Sequence, residues 1–113
     1  MTGLFYHDVL AAFHAAGVPA VVVGGVALNL RGVQRSTSDL DLAISLDATS
    51  LPAAVRVVQG LGLRSHPPEP AERLCDPEVV RGWVEERNLV ALKFTDPADP
   101  LREVDLQIRR AHV

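Results

Sequence analysis

Residues 21–44 read VVVGGVALNLRGVQRSTSDLDLAI, and this stretch decides the fold. Residues 20–23 are apolar and mostly β-branched, which predicts a buried strand. The Gly24-Gly25 pair ends that strand, and residues 26–31 have the composition of a helix that Gly32 stops. A polar loop is expected over 33–38. This order predicts a strand, a tight turn, a short helix and a loop.

A second strand is predicted over residues 39–46, because apolar and polar residues alternate there. Its leucine and isoleucine side chains point to one face. Asp39 and Asp41 project together from the other face, with Cα atoms about 6.5–7 Å apart. Two negative charges this close are unfavourable unless a cation compensates them. The pair is therefore a candidate cation site.

The rest of the chain completes a small sheet. The further predicted elements are helices over 4–16 and 51–61, a short strand over 63–66, a helix or loop over 76–86, and strands over 88–95 and 103–107. The last two strands form a predicted hairpin, which sets Lys93 opposite Asp105. The sequence thus predicts one α+β domain over residues 1–113, with a single mixed β-sheet flanked by helices.

Composition excludes several classes of protein. The chain has 113 residues, 48% of them hydrophobic, and a net charge of −3, so it is neither a disordered tail nor a strongly basic nucleic-acid binder. Its one cysteine allows no internal disulfide and no thiolate zinc cluster. No apolar run approaches the ~18–20 residues of a membrane span, and the first residues lack the pattern of a signal peptide. We therefore expect a cytoplasmic protein without a membrane partner.

A third acid has the same setting as the first two. Asp105 lies between Val104 and Leu106, on the polar face of an alternating strand. If this strand pairs beside the one that carries Asp39 and Asp41, three carboxylates meet at one point. Hard oxygen ligands suit Mg²⁺, and two ions about 3.5–4 Å apart would activate an attacking oxygen and stabilise a leaving one.

The residues before the acid pair are suited to phosphate. Gly24 and Gly25 let the backbone approach a ligand closely, and the helix start that follows offers free N–H groups. Arg35 and Thr37 in the loop would supply a guanidinium and a hydroxyl to phosphate oxygens. Lys93 is either an exposed hairpin lysine or a partner of pyrophosphate or Asp105. Each of these sequence features is weak evidence by itself. The prediction rests on their occurrence together and in this order along the chain.

The segment from Val21 to Ile44, with Asp105 as a third carboxylate, resembles the signature of the polymerase-beta-type nucleotidyltransferase superfamily. It is most similar to the minimal, abortive-infection toxin-type branch. The resemblance implies that backbone amides of Gly24 and Gly25 hold the triphosphate. It implies a further set of roles: Asp39 and Asp41 ligate two Mg²⁺ ions, Asp105 completes one metal site and helps take a proton, and Arg35 and Thr37 contact phosphates.

The implied reaction is transfer of a nucleoside monophosphate from a nucleoside triphosphate to a hydroxyl, on RNA such as tRNA or on a protein. Many relatives add a helical domain that closes over the acceptor. The resemblance therefore implies a homodimer or a partner protein, such as a HEPN-like chain of a toxin–antitoxin or phage-defence pair. Two alternatives stay open: a non-catalytic nucleotide-binding or antitoxin module of the same fold, and a phosphohydrolase with Asp39 as nucleophile.

Overall fold

A computed structural model describes residues 2–23 and 39–109. Four helices lie in these ranges: α1 (Thr2–Ala15), α2 (Ser50–Gly60), α3 (Ala71–Leu74) and α4 (Pro77–Arg87). The strands there are β1 (Val21–Val23), β2 (Asp39–Ser45), β3 (Arg64–Ser65), β4 (Ala91–Asp96) and β5 (Asp99–Arg109). The helix predicted over 26–31 and the loop over 33–38 lie outside the described residues.

The five described strands form one sheet in the order β1-β2-β5-β4-β3. Strands β2 and β5 are parallel, whereas the pairs β1–β2, β4–β5 and β3–β4 are antiparallel. The predicted hairpin of the last two strands is confirmed, and so are the α+β class and the mixed sheet. The parallel pair β2–β5 places two distant segments of the chain side by side, and this pairing positions the candidate site.

The hydrophobic core lies on one face of the sheet, under the helices. It includes Leu40, Leu42, Leu106 and Phe94 from the strands and Phe5, Val9, Leu51, Val55, Leu74 and Trp83 from the helices. The alternation predicted for β2 is confirmed over residues 40–45, because Leu40, Leu42 and Ile44 are buried in the core whereas Asp41 is half-buried and Ser45 is exposed. Burying the apolar side chains supplies about 1.5–3 kcal/mol each to folding. The core therefore fixes which strand residues face away from it.

Strand β1 corrects an expectation. The apolar run over 20–23 predicts a buried strand, yet β1 is at the edge of the described sheet and Val21 is 52% exposed. A short apolar run identifies a strand but does not say where in the sheet it lies, since edge and central strands use the same residue types. The bounds of the last two strands also differ from the predicted ones, because β4 covers Ala91–Asp96 and β5 covers Asp99–Arg109.

Helix α4 resolves the segment over 76–86 that the sequence leaves open. The Asp76 side chain accepts a hydrogen bond from the backbone N–H of Glu78, and Pro77 begins the helix, which is a favoured combination at a helix start. Asn88 ends the helix in the left-handed conformation, at φ 53°. These features at the two ends favour a helix, although the residues between them are acidic and have only a weak apolar pattern. The one-turn helix α3 was not predicted.

Two glycines at the end of α2 make a matched test of backbone conformation. Gly62 has φ +87°, Gly60 is helical, and a Cβ added at either position would meet no atom within 4 Å. We expect Gly62→Ala to lower the free energy of unfolding by about 1–2 kcal/mol, because an L side chain is strained at this φ. Gly60→Ala should leave it unchanged or raise it by up to about 1 kcal/mol. Urea denaturation measures both, and equal effects would contradict this account.

Asp47 makes folding sensitive to acid. Its Oδ1 accepts hydrogen bonds from the N–H of Ser50 at 2.6 Å and of Thr49 at 2.9 Å, ahead of α2. These bonds, that from Ser50 first, lower the pKa of the carboxyl below its ordinary 3.8. A lowered folded-state pKa stabilises the fold above the unfolded-state pKa, and this contribution is lost as pH falls through the folded value. The Tm difference between the wild type and Asp47→Asn should be largest near pH 7 and should shrink as pH falls below the unfolded-state pKa and through the lowered folded-state pKa. A pH-independent difference would contradict this role.

Candidate functional site

The structure brings Asp41 and Asp105 together. They are register partners in the parallel pair of β2 and β5. Adjacent strands are about 4.8 Å apart, and both side chains project from the face opposite the core. The predicted adjacency of these two acids is confirmed. Since they are more than sixty positions apart in sequence, only the tertiary pairing of the strands creates it.

Both carboxylates are partly withdrawn from solvent. Asp41 and Asp105 are of intermediate burial, and the Oδ1 atom of Asp105 is shielded from water. Repulsion between two charges grows as the surrounding dielectric falls, so two half-buried carboxylates on adjacent strands favour a compensating cation. Two carboxylates on adjacent strands offer oxygen ligands of the kind that a divalent ion binds.

The backbone of Asp39 is also in this part of the sheet, although its side chain lies outside what the structure describes. Asp39 is the register partner of Glu103. The register of β2 and β5 therefore contains two pairs of acidic residues, Asp39 with Glu103 and Asp41 with Asp105, which are two residues apart along each strand. The sequence reasoning did not single out Glu103. The signal was present in the alternation of β5, where Glu103 precedes Asp105 by two residues.

Lys93 lies on the other side of Asp105. The predicted register is confirmed, because Lys93 and Asp105 are partners across the β4–β5 hairpin. The Lys93 ammonium is 3.9 Å from Oε2 of Glu103, and both side chains are partly exposed. One row across the sheet thus contains Asp41, Asp105 and Lys93. A cation at the end of this row is placed to attract an anionic ligand toward the carboxylates.

The residues predicted to bind phosphate, Gly24, Gly25, Arg35 and Thr37, lie outside the described residues. The neighbouring residue Val23 is described and is the register partner of Asp41. Strand β1 therefore ends beside Asp41.

The donor set can be compared with what Mg²⁺ prefers. Among the described side chains, which exclude that of Asp39, no group of three or more His, Cys, Asp or Glu is arranged to hold a metal ion. Asp41 and Asp105 supply two hard oxygen ligands on one face, and Mg²⁺ is commonly held by one or two carboxylates with water and substrate phosphate. The residues that are described fit such an ion.

Three other observations concern parts of the protein away from this face. Trp83 is 6% exposed and belongs to the core. Burial raises the pKa of the Cys75 thiol, which disfavours the thiolate that a nucleophile needs. In residues 2–23 and 39–109 no helix has the length and apolar character to cross a bilayer.

Known proteins give no assignment. No family model matches the sequence, and no curated protein or solved structure is significantly similar to the chain. The superfamily inferred from residues 21–44 and Asp105 therefore remains a prediction from the sequence.

Proposed function

We propose that this chain is a Mg²⁺-dependent nucleotidyltransferase. The single observation that carries the proposal is the pairing of Asp41 with Asp105 on the face of the sheet opposite the core, beside the end of β1. Sequence order supports it, since Gly24-Gly25 and a polar segment with Arg35 and Thr37 separate β1 from β2 in the sequence. A nucleoside monophosphate would pass from a nucleoside triphosphate to a hydroxyl, with release of pyrophosphate.

Asp41 and Asp105, with Asp39, would hold two Mg²⁺ ions. Bound Mg²⁺ supplies charge neutralisation on the phosphates during in-line transfer. The protein's own contribution is positioning: the parallel strands hold Asp41 and Asp105 at a fixed spacing, so no reorganisation is needed when the substrate binds. Asp105 would also accept the proton of the attacking hydroxyl. Lys93 would attract the triphosphate and stabilise the departing pyrophosphate.

The acceptor hydroxyl would belong to RNA, such as a tRNA end, or to a protein in the cytoplasm. Asp41 and Asp105 would belong to the metal half of a transferase, and the acceptor half would come from a second copy or from a partner chain. A toxin–antitoxin or phage-defence pair supplies such a partner. This assignment rests on the resemblance of residues 21–44 and Asp105.

Label transfer tests the proposal. The protein is incubated with Mg²⁺, each of the four α-labelled nucleoside triphosphates, total RNA, and the product of the adjacent gene. We expect one nucleotide to label one macromolecular fraction, and EDTA to abolish the label. Asp8→Asn, at an exposed position of α1, should keep the activity.

Nucleotide binding without label in any fraction would contradict the transferase. It would support a non-catalytic module of the same fold, which is detected separately as a rise in Tm with nucleoside triphosphate and Mg²⁺. Release of free phosphate from a phosphomonoester, with Asp39 essential, would instead indicate a phosphohydrolase.

A further inference from the structure

Lys93 lies within reach of two carboxylates on the face of the sheet opposite the core. Its register partner across the β4–β5 hairpin is Asp105. Thr95, two residues further along β4, is the partner of Glu103, so Glu103 is the diagonal neighbour of Lys93. In an antiparallel pair, a long side chain reaches both the residue directly opposite and the diagonal one two positions away. Lys93 could therefore pair with either carboxylate.

The lysine pairs with the diagonal neighbour. The ammonium of Lys93 is 3.9 Å from Oε2 of Glu103, and this is the ion pair that the described residues show for this lysine. The Glu103 side chain is 20% exposed, whereas that of Lys93 is 47% exposed. Opposite charges attract more strongly where less water surrounds them, so a carboxylate that is mostly shielded from solvent is a good partner for the ammonium.

The choice of partner matters because Asp105 is a proposed metal ligand. An ammonium bound to Asp105 would occupy its oxygens and place a positive charge where Mg²⁺ would bind, so the two cations would compete. Pairing with Glu103 avoids this competition. It also keeps a half-exposed ammonium on the face that carries Asp41 and Asp105, where it can meet an anionic ligand.

We propose that Glu103 is a positioning residue of the metal site, which holds the Lys93 ammonium and so prevents it from competing with a divalent cation at Asp105. Glu103 acts through Lys93 and is not itself a metal ligand. The inference rests on the proposed Mg²⁺ site at Asp41 and Asp105. It adds a residue to that site and gives Lys93 a fixed partner in the absence of substrate.

A metal-free measurement tests which carboxylate holds the lysine. Lys93 is the one lysine of the sequence, so protein made with nitrogen-labelled lysine has a single side-chain ammonium signal. We expect Glu103→Gln to shift this signal and Asp105→Asn to change it little. In the Glu103→Gln background, Asp105→Asn should shift it, because the lysine then pairs with Asp105. A wild-type signal that responds to Asp105→Asn and not to Glu103→Gln would overturn the proposal.

Mn²⁺ titrations without nucleotide, followed by water proton relaxation, test the consequence for the cation. Glu103→Gln should weaken Mn²⁺ binding about fivefold, the upper range for a partly exposed ion pair. Lys93→Met should change binding less than about twofold in the wild type, yet strengthen it about fivefold in the Glu103→Gln background. Glu78→Gln, which removes the acid of the exposed Arg81–Glu78 pair on α4, is the matched control and should change binding less than about twofold.

The two backgrounds separate positioning from simple charge. If Glu103 and Lys93 acted only through their charges, Lys93→Met would strengthen Mn²⁺ binding by the same factor in both backgrounds, and this result would overturn the proposal. If Mn²⁺ binds at Asp41 and Asp105 but Glu103→Gln binds it as well as the wild type, the positioning role is wrong and the proposed transferase is unaffected. If the wild type binds no Mn²⁺, the proposed metal site is wrong and this inference fails with it.

Discussion

Replacing Asp41 or Asp105 by asparagine should lower nucleotidyl transfer by about 10³-fold or more while the protein stays folded. The substitution keeps the size of the side chain and removes its charge, so the sheet pairing of β2 and β5 is retained. Groups that stabilise developing charge in a transition state are typically worth 10²–10⁵-fold in rate. Both carboxylates act on the same phosphoryl group, so the double variant should be little slower than either single one.

The comparison needs a protein that is equally folded and differs only at the site. Asp8→Asn removes one carboxylate from the exposed surface of α1 and should keep full activity. Near-UV circular dichroism should be the same for the wild type and all four variants. If Asp105→Asn transfers nucleotide at the wild-type rate, Asp105 is not part of the machinery and the assignment of a third carboxylate is wrong.

Phe94→Ala should have the largest effect on stability, a loss of about 3–5 kcal/mol in the free energy of unfolding. Phe94 is fully buried in β4 and packs in the core that joins the sheet to the helices. Truncation removes the transfer free energy of the ring and leaves a cavity that the neighbours fill only partly. The total free energy of unfolding of a domain of this size is about 5–15 kcal/mol, so this loss leaves little stability.

A matched control is available four residues earlier. Val90 is 72% exposed, just before the same strand, and Val90→Ala should change the free energy of unfolding by less than about 0.5 kcal/mol. Urea denaturation of both variants measures the difference. Similar losses at the two positions would show that Phe94 does not lie in a packed core, and would contradict the sheet register described for β4.

The strands in which apolar and polar residues alternate could be predicted from the sequence, and so could the face of the sheet to which their residues belong. In β2, apolar residues at every second position leave Asp39 and Asp41 only one side on which to project. The hairpin register of Lys93 and Asp105 followed from a turn-rich segment between two strands. Local patterns determine both features, because strand period and turn chemistry act over a few residues.

What the sequence could not determine depends on contacts between distant segments. The parallel pairing of β2 with β5 sets Asp41 beside Asp105. From the strand pattern alone, this adjacency could be predicted only on the condition that the two strands pair. The edge position of β1 depends on which strands fill the centre of the sheet. The position of Glu103 opposite Asp39 follows from the same parallel register.

Binding of a divalent cation at Asp41 and Asp105 is the central claim, and paramagnetic broadening by Mn²⁺ tests it most directly. In nitrogen-labelled protein with a nucleoside triphosphate present, substoichiometric Mn²⁺ should broaden the amide signals of Asp41 and Asp105 first. Excess Mg²⁺ should restore these signals, and the double variant Asp41→Asn/Asp105→Asn should show no selective broadening. Broadening centred elsewhere in the chain, or unchanged in the double variant, would contradict the account.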